Sequence, residues 1–135
     1  MWEHFHHQAD IGIRGIGESI EEAFQEAAVS MTAVICDPKT IEAREQLLIN
    51  CVGTDRELLL ADWLNAIIYE MATRNMLFSK FEVHIEAEKL AGKAWGEKAD
   101  PEKHDMAVEV KAATYSQLAV KNQDGKWTAQ CVVDV

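Results

Sequence analysis

Hydrophobic positions in this chain recur at helical spacing early and at every second residue later. Ile20, Ala23, Phe24, Ala27, Met31, Val34 and Ile35 form one stripe of a helix. Ser19 opens that stretch and Glu22 follows three residues on. At this spacing serine and glutamate cap each other's backbone N–H groups, and Glu18 and Glu21 add negative charge at the positive end of the helix. Asp37-Pro38 ends it, because a residue before proline is pushed out of helical geometry. A second helix is predicted from the Thr54–Glu57 capping spacing to Arg74-Asn75. Leu58, Leu59, Leu60, Trp63, Leu64, Ile67, Ile68 and Met71 surround much of its circumference. That pattern predicts that it is the more deeply buried of the two.

The period then falls to two. Asp10 to Ile16 reads as extended, with Ile11 and Ile13 on one side and Asp10, Gly12 and Arg14 on the other. Leu47, Ile49 and Cys51 make the later half of Ile41–Val52 a strand. Phe81, Val83 and Ile85 alternate with Glu82, His84 and Glu86. Leu90–Glu97, Met106–Tyr115 and Leu118–Lys121 are further strand candidates. Asp124-Gly125 is a two-residue hairpin turn. The last strand sets Trp127, Ala129, Cys131, Val133 and Val135 against Thr128, Gln130, Val132 and Asp134. Two helices and about six strands, most of them late, indicate an α+β fold. Gly12, Gly15 and Gly17 run in the wrong order for a dinucleotide fingerprint and are predicted bulge and turn positions. Trp95 to His104 reads as an exposed, charged hairpin loop, with a docking loop as its functional alternative.

Composition narrows the classes. The 135 residues suit one domain, 1–135, with a substantial core. There is no apolar window of membrane length and no secretion-type leader pattern, so a cytoplasmic protein is the expectation. Cys36, Cys51 and Cys131 are widely spaced with no C-x-x-C, as expected of reduced structural thiols. The chain has 23 Asp and Glu against 13 Lys and Arg, a net charge of −10. That balance argues against a strong direct grip on nucleic acid and suits cations or a partner with a basic face.

The candidate chemistry lies at the two ends. Asp10 and Asp134 each sit beside strand-forming residues, and Val135 carries a carboxylate. If the first and last strands are neighbours, three acidic groups meet. Two charges about 4 Å apart repel by about 4 kcal/mol at an effective dielectric of 20. A proton or a metal must then compensate, and a hard divalent cation such as Ca²⁺ takes such oxygen ligands. The plain alternative is that Asp10 caps a turn and Asp134 lies on a loose terminus. His4, His6 and His7 suit Zn²⁺ or Ni²⁺, but strand neighbours face opposite ways, so His6 and His7 do not share an ion. His7 instead reads as a supporting group beside the acids. A small metal-dependent hydrolase would use the same carboxylates, yet no base or nucleophile pair is recognisable. A purely structural binding module is the third class.

Several segments together resemble one family. His7-Gln8-Ala9-Asp10-Ile11-Gly12 is similar to the His-Thr-Ala-Asp-Ile-Gly opening of archease. Asp62-Trp63-Leu64-Asn65, Leu77-Phe78-Ser79-Lys80-Phe81, Gly96-Glu97 through Asp100-Pro101 to His104, Glu109 to Tyr115, and Asp134-Val135 follow in order. The resemblance implies a two-layer α+β fold, a mixed sheet of about six strands packed with two helices. It implies a protein cofactor, not an enzyme, that promotes guanylylation and repeated turnover of an RtcB-type RNA-splicing ligase in tRNA splicing and RNA repair. That ligase carries GMP on a histidine and uses Mn²⁺ and GTP. The resemblance also implies a Ca²⁺-type site at Asp10, Asp134 and Val135. Lys111 and Tyr115 are candidate partner contacts. Gln8 in place of Thr, Ser116 in place of His and Ala99 in place of an aromatic depart from the pattern.

Overall fold

The computed structural model describes residues 1–135 and opens with an antiparallel hairpin. Strand β1 (Trp2–His7) turns at Gln8-Ala9 into β2 (Asp10–Gly17), pairing antiparallel from Trp2↔Gly15 to His7↔Asp10. Helix α1 (Ile20–Ile35) follows, and the Ser19 hydroxyl accepts the Glu22 N–H at 3.1 Å as the spacing predicts. Strand β3 (Glu45–Val52) leads to α2 (Arg56–Arg74). Its cap is Asp55 rather than Thr54, and Asn75 ends it in the left-handed conformation (φ 54°). Strands β4 (Met76–Glu86), β5 (Lys89–Lys98), β6 (Ala112–Ala113), β7 (Ala119–Gln123) and β8 (Lys126–Asp134) complete the chain.

The α+β class holds, but the single mixed sheet of about six strands does not. Eight strands form two antiparallel sheets, one of five strands and one of three, ordered β3-β5-β4. In the larger sheet β8 is the hub: β2 runs along one edge, while β6 and β7 share the other. Both helices pack against both sheets. Strand β1 escapes the alternation rule because its residues are aromatic, acidic or imidazole and none is fully buried.

The burial order of the helices is the reverse of the prediction. In α1, 10 of 16 residues are buried; in α2, 6 of 19 are. The reason is size. The small residues of α1 bring its backbone close to the sheets, and a Cβ added to Gly15 of β2 would stand 2.1 Å from the Ala23 carbonyl oxygen. Gly15 is therefore not a bulge residue; the β2 register is unbroken on both sides, and the missing side chain is needed for close approach. The buried hydroxyls of α1 fix it to both sheets. Ser30 donates to the Glu3 carbonyl at 2.9 Å, and Thr32 donates to the Phe78 carbonyl at 2.8 Å. Trp63, fully buried on α2, donates its indole N–H to the Phe24 carbonyl at 3.2 Å and joins the two helices.

The predicted strand Met106–Tyr115 shrinks to Ala112–Ala113. Met106 and Val108 stand at alternate positions yet remain 38% and 40% exposed. This stretch crosses the end of the core as an irregular strap, tied by the Ala107 N–H to the Ile35 carbonyl at 2.8 Å.

Candidate cation site where the second and last strands pair

Register alone assembles the site. Ile11 stands opposite Val133, so the next step sets Asp10 opposite Asp134. His7 stands opposite Asp10 on the far side, and Ala112 opposite Asp134 on the near side. His7, Asp10, Asp134 and Ala112 thus form one row across four adjacent strands. Directly opposed residues share a face of the sheet. The alternate row, with Val133 buried, faces the core, so the acids face outward. Asp10, Asp134 and Val135 are all exposed. No Lys, Arg or His side chain makes an ion pair with either aspartate.

No three His, Cys, Asp or Glu side chains gather anywhere in the molecule to hold a metal. The donors available here are two aspartates and main-chain oxygens, those of Val135 among them. An exposed, all-oxygen set of this kind fits a hard cation and fits Zn²⁺ poorly. His7 bears on the same point. Its Nδ1 is buried with no hydrogen-bond partner, the only such side-chain atom in the protein. A buried imidazole nitrogen without a partner costs about 1–3 kcal/mol, so it belongs beside a ligand or an ordered water. His4 plays no such part: its Nε2 pairs with the Ser30 carbonyl at 2.8 Å. His6 lies opposite Ile11 and faces away from His7, as alternation requires.

The neighbouring segment is held by its backbone. The Lys111 N–H donates to the Asp134 carbonyl at 2.7 Å, and the Thr114 N–H to the Val132 carbonyl at 3.0 Å. Lys111 is exposed and Tyr115 is 68% exposed. The Ser116 carbonyl accepts the Val132 N–H at 2.9 Å, and its own N–H donates to the Thr114 hydroxyl at 3.2 Å.

The model of the archease protein family matches residues 2–135. The chain belongs to the archease family. It is 42% identical to the protein archease of Pyrococcus furiosus over 140 residues, covering 100% of this chain and 99% of that one. It is 40% identical to the archease of Sulfurisphaera tokodaii over 136 residues, covering 99% and 98%. The solution structure of protein 1598 from Methanobacterium thermoautotrophicum superposes with a TM-score of 0.87 at 35% identity, covering 99% of this chain and 98% of that one. A Thermotoga maritima archease, described as a possible chaperone, matches in fold with a TM-score of 0.65 at 21% identity, over 100% of this chain and 98% of that one.

This archease has a second polar cluster that the sequence reading missed. The Trp95–His104 segment is not an exposed hairpin loop: Trp95 to Lys98 lie in β5, and Glu97 and His104 are buried. The Glu97 carboxylate accepts the Glu42 N–H at 2.8 Å, Lys103 Nζ at 3.0 Å and His104 Nε2 at 2.9 Å. Arg44 approaches at 3.3 Å. His104 Nδ1 accepts the Asp100 N–H at 3.0 Å, so its proton sits on Nε2 and points at Glu97. The Glu42 N–H and the Lys103 ammonium together pull the Glu97 pKa down to about 2.

All three cysteines are free thiols. Burial pushes Cys131 up to about 12, and burial with nearby Asp62 pushes Cys51 up to about 11. Such thiols stay protonated and are not nucleophiles. No helix is long and apolar enough to cross a membrane.

Proposed function

We propose that this archease is an accessory activator of an RtcB-type RNA-splicing ligase, working with a divalent cation of the Ca²⁺ type held by Asp10, Asp134 and Val135. The observation behind this reading is the row of outward acids on the second and last strands, with no counter-charge from the protein, in a chain of this family. A bound cation would supply the positive charge that lets the carboxylates share one spot. The protein's own part is to hold those oxygens in register on a rigid sheet and to present them outward.

A helper of this kind acts on its partner only through its difference in affinity for two partner conformations. It binds the guanylylation-competent ligase more tightly than the stalled one, and that difference drives repeated turnover. The net charge of −10 leaves RNA contact to the ligase. Exposed Lys111 and Tyr115, beside the acid row, are the nearest partner contacts.

The test is ligation over many turnovers, with and without this protein. Stimulation by the wild type, lost in Asp10→Asn and Asp134→Asn variants that still fold, is the expected result. Full stimulation by either variant would overturn the cation's part in activation. Turnover of phosphoesters or RNA by the protein alone, abolished in Asp10→Asn, would make it a hydrolase instead.

A further inference from the structure

We propose that Asn65 of α2 is a positioning residue for the acid row. Its amide holds the 111–114 segment against β8 and thereby sets where Asp134 and Lys111 stand. The inference rests on the reading of that row as the working site.

Strand β6 has only two residues and one strand neighbour, β8. Its other edge would leave the N–H and C=O of Ala113 unpaired. Ala113 is only 5% exposed, so bulk water does not serve them. Asn65 does: its Oδ1 accepts the Ala113 N–H at 2.9 Å, and its Nδ2 donates to the Ala113 carbonyl at 3.0 Å. One side chain thus imitates the reciprocal pair that an antiparallel strand would make. Asn65 follows Trp63 and Leu64, both fully buried, so the helix cannot shift without disturbing the core. The position of α2 is passed to Ala113, then to Ala112 opposite Asp134, and to the Lys111 N–H on the Asp134 carbonyl.

Only an amide of this length does both jobs. An aspartate accepts from Ala113 but cannot donate to it, and a leucine does neither. The variants Asn65→Asp and Asn65→Leu therefore form a graded series. Thr32→Val is the control, because it removes one buried hydroxyl bond, to Phe78, at a site remote from β6.

Two measurements test the proposal on the full chain: amide hydrogen exchange at Lys111, Ala113 and Thr114, and calorimetric titration with Ca²⁺. In Asn65→Leu, exchange at those three amides should speed up about tenfold or more and Ca²⁺ affinity should fall about tenfold, the low end for residues that orient metal ligands. Asn65→Asp should fall between, and Thr32→Val should match the wild type in both. Unchanged protection in Asn65→Leu would overturn the proposal. So would lost protection with undiminished Ca²⁺ affinity, or an equal loss in Thr32→Val. A wild-type protein that takes up no Ca²⁺ would sink the cation reading itself, and exchange alone would then decide whether Asn65 orders the segment.

Discussion

The Glu97 cluster and the Asp10–Asp134 row both gather acids at the ends of strands, yet they are opposites in charge balance. Glu97 is buried and surrounded by its own compensation: a backbone N–H, Lys103, Arg44 and the Nε2 proton of His104. Asp10 and Asp134 are exposed, adjacent and without any protein cation. An acid whose counter-charge is built into the fold serves the fold. Acids whose counter-charge must come from outside are disposed to bind something. The same residue chemistry is structural in one place and outward-looking in the other, and the partners decide which.

The largest way to break this contrast is to remove the fully buried His104. His104→Ala leaves Glu97 and the Asp100 N–H each one partner short and opens a cavity where the fully buried ring stood, and about 3–5 kcal/mol of stability should be lost in denaturant titration. A loss below about 1 kcal/mol would mean that Lys103 and Arg44 suffice. Next in size is the ligand-dependent effect at the other cluster. With Ca²⁺ a hundredfold above its dissociation constant, the wild type should gain about 2.7 kcal/mol and Asp10→Asn should gain nothing. In chelator the same variant should be as stable as the wild type or slightly more so, because a repulsion has gone. Destabilisation in chelator would contradict the contrast. A third effect is seen against pH. The folded pKa of Glu97, about 2, lies below its ordinary 4.5. Its ionised form therefore stabilises the fold fully above pH about 4.5, and that contribution disappears as pH falls toward 2. The stability gap between wild type and Glu97→Gln should be widest at neutral pH and close across that window. A gap independent of pH would remove the charge from the explanation.

The acid row was the more legible of the two clusters. The alternation in β8, the Asp124-Gly125 turn and the short first strands place Asp10 and Asp134 at matching ends of neighbouring strands once β2 and β8 pair. Pairing of strands so far apart is not visible from alternation; the family resemblance pointed to it. The Glu97–His104 bond was illegible because its partners lie on a strand end and in an irregular loop, where no period applies. Met106–Tyr115 misled for the converse reason: it alternates, but it has no strand partner until Ala112. The helix order misled because apolar volume was read as depth, whereas the small residues of α1 give it the closer contact with both sheets.

The central place of β8 has a consequence for how the molecule comes to exist. Ile11 waits for Val133, a partner more than a hundred residues downstream, while the β1–β2 hairpin is free to form at once. Contacts of such long sequence separation form slowly, and on the ribosome they must await the translation of β8. Until then the free edge of β2 is bare and exposed to mispairing. The acid pair is thus among the last features to be assembled, and a nascent chain released before β8 is made would carry half of it and none of its geometry.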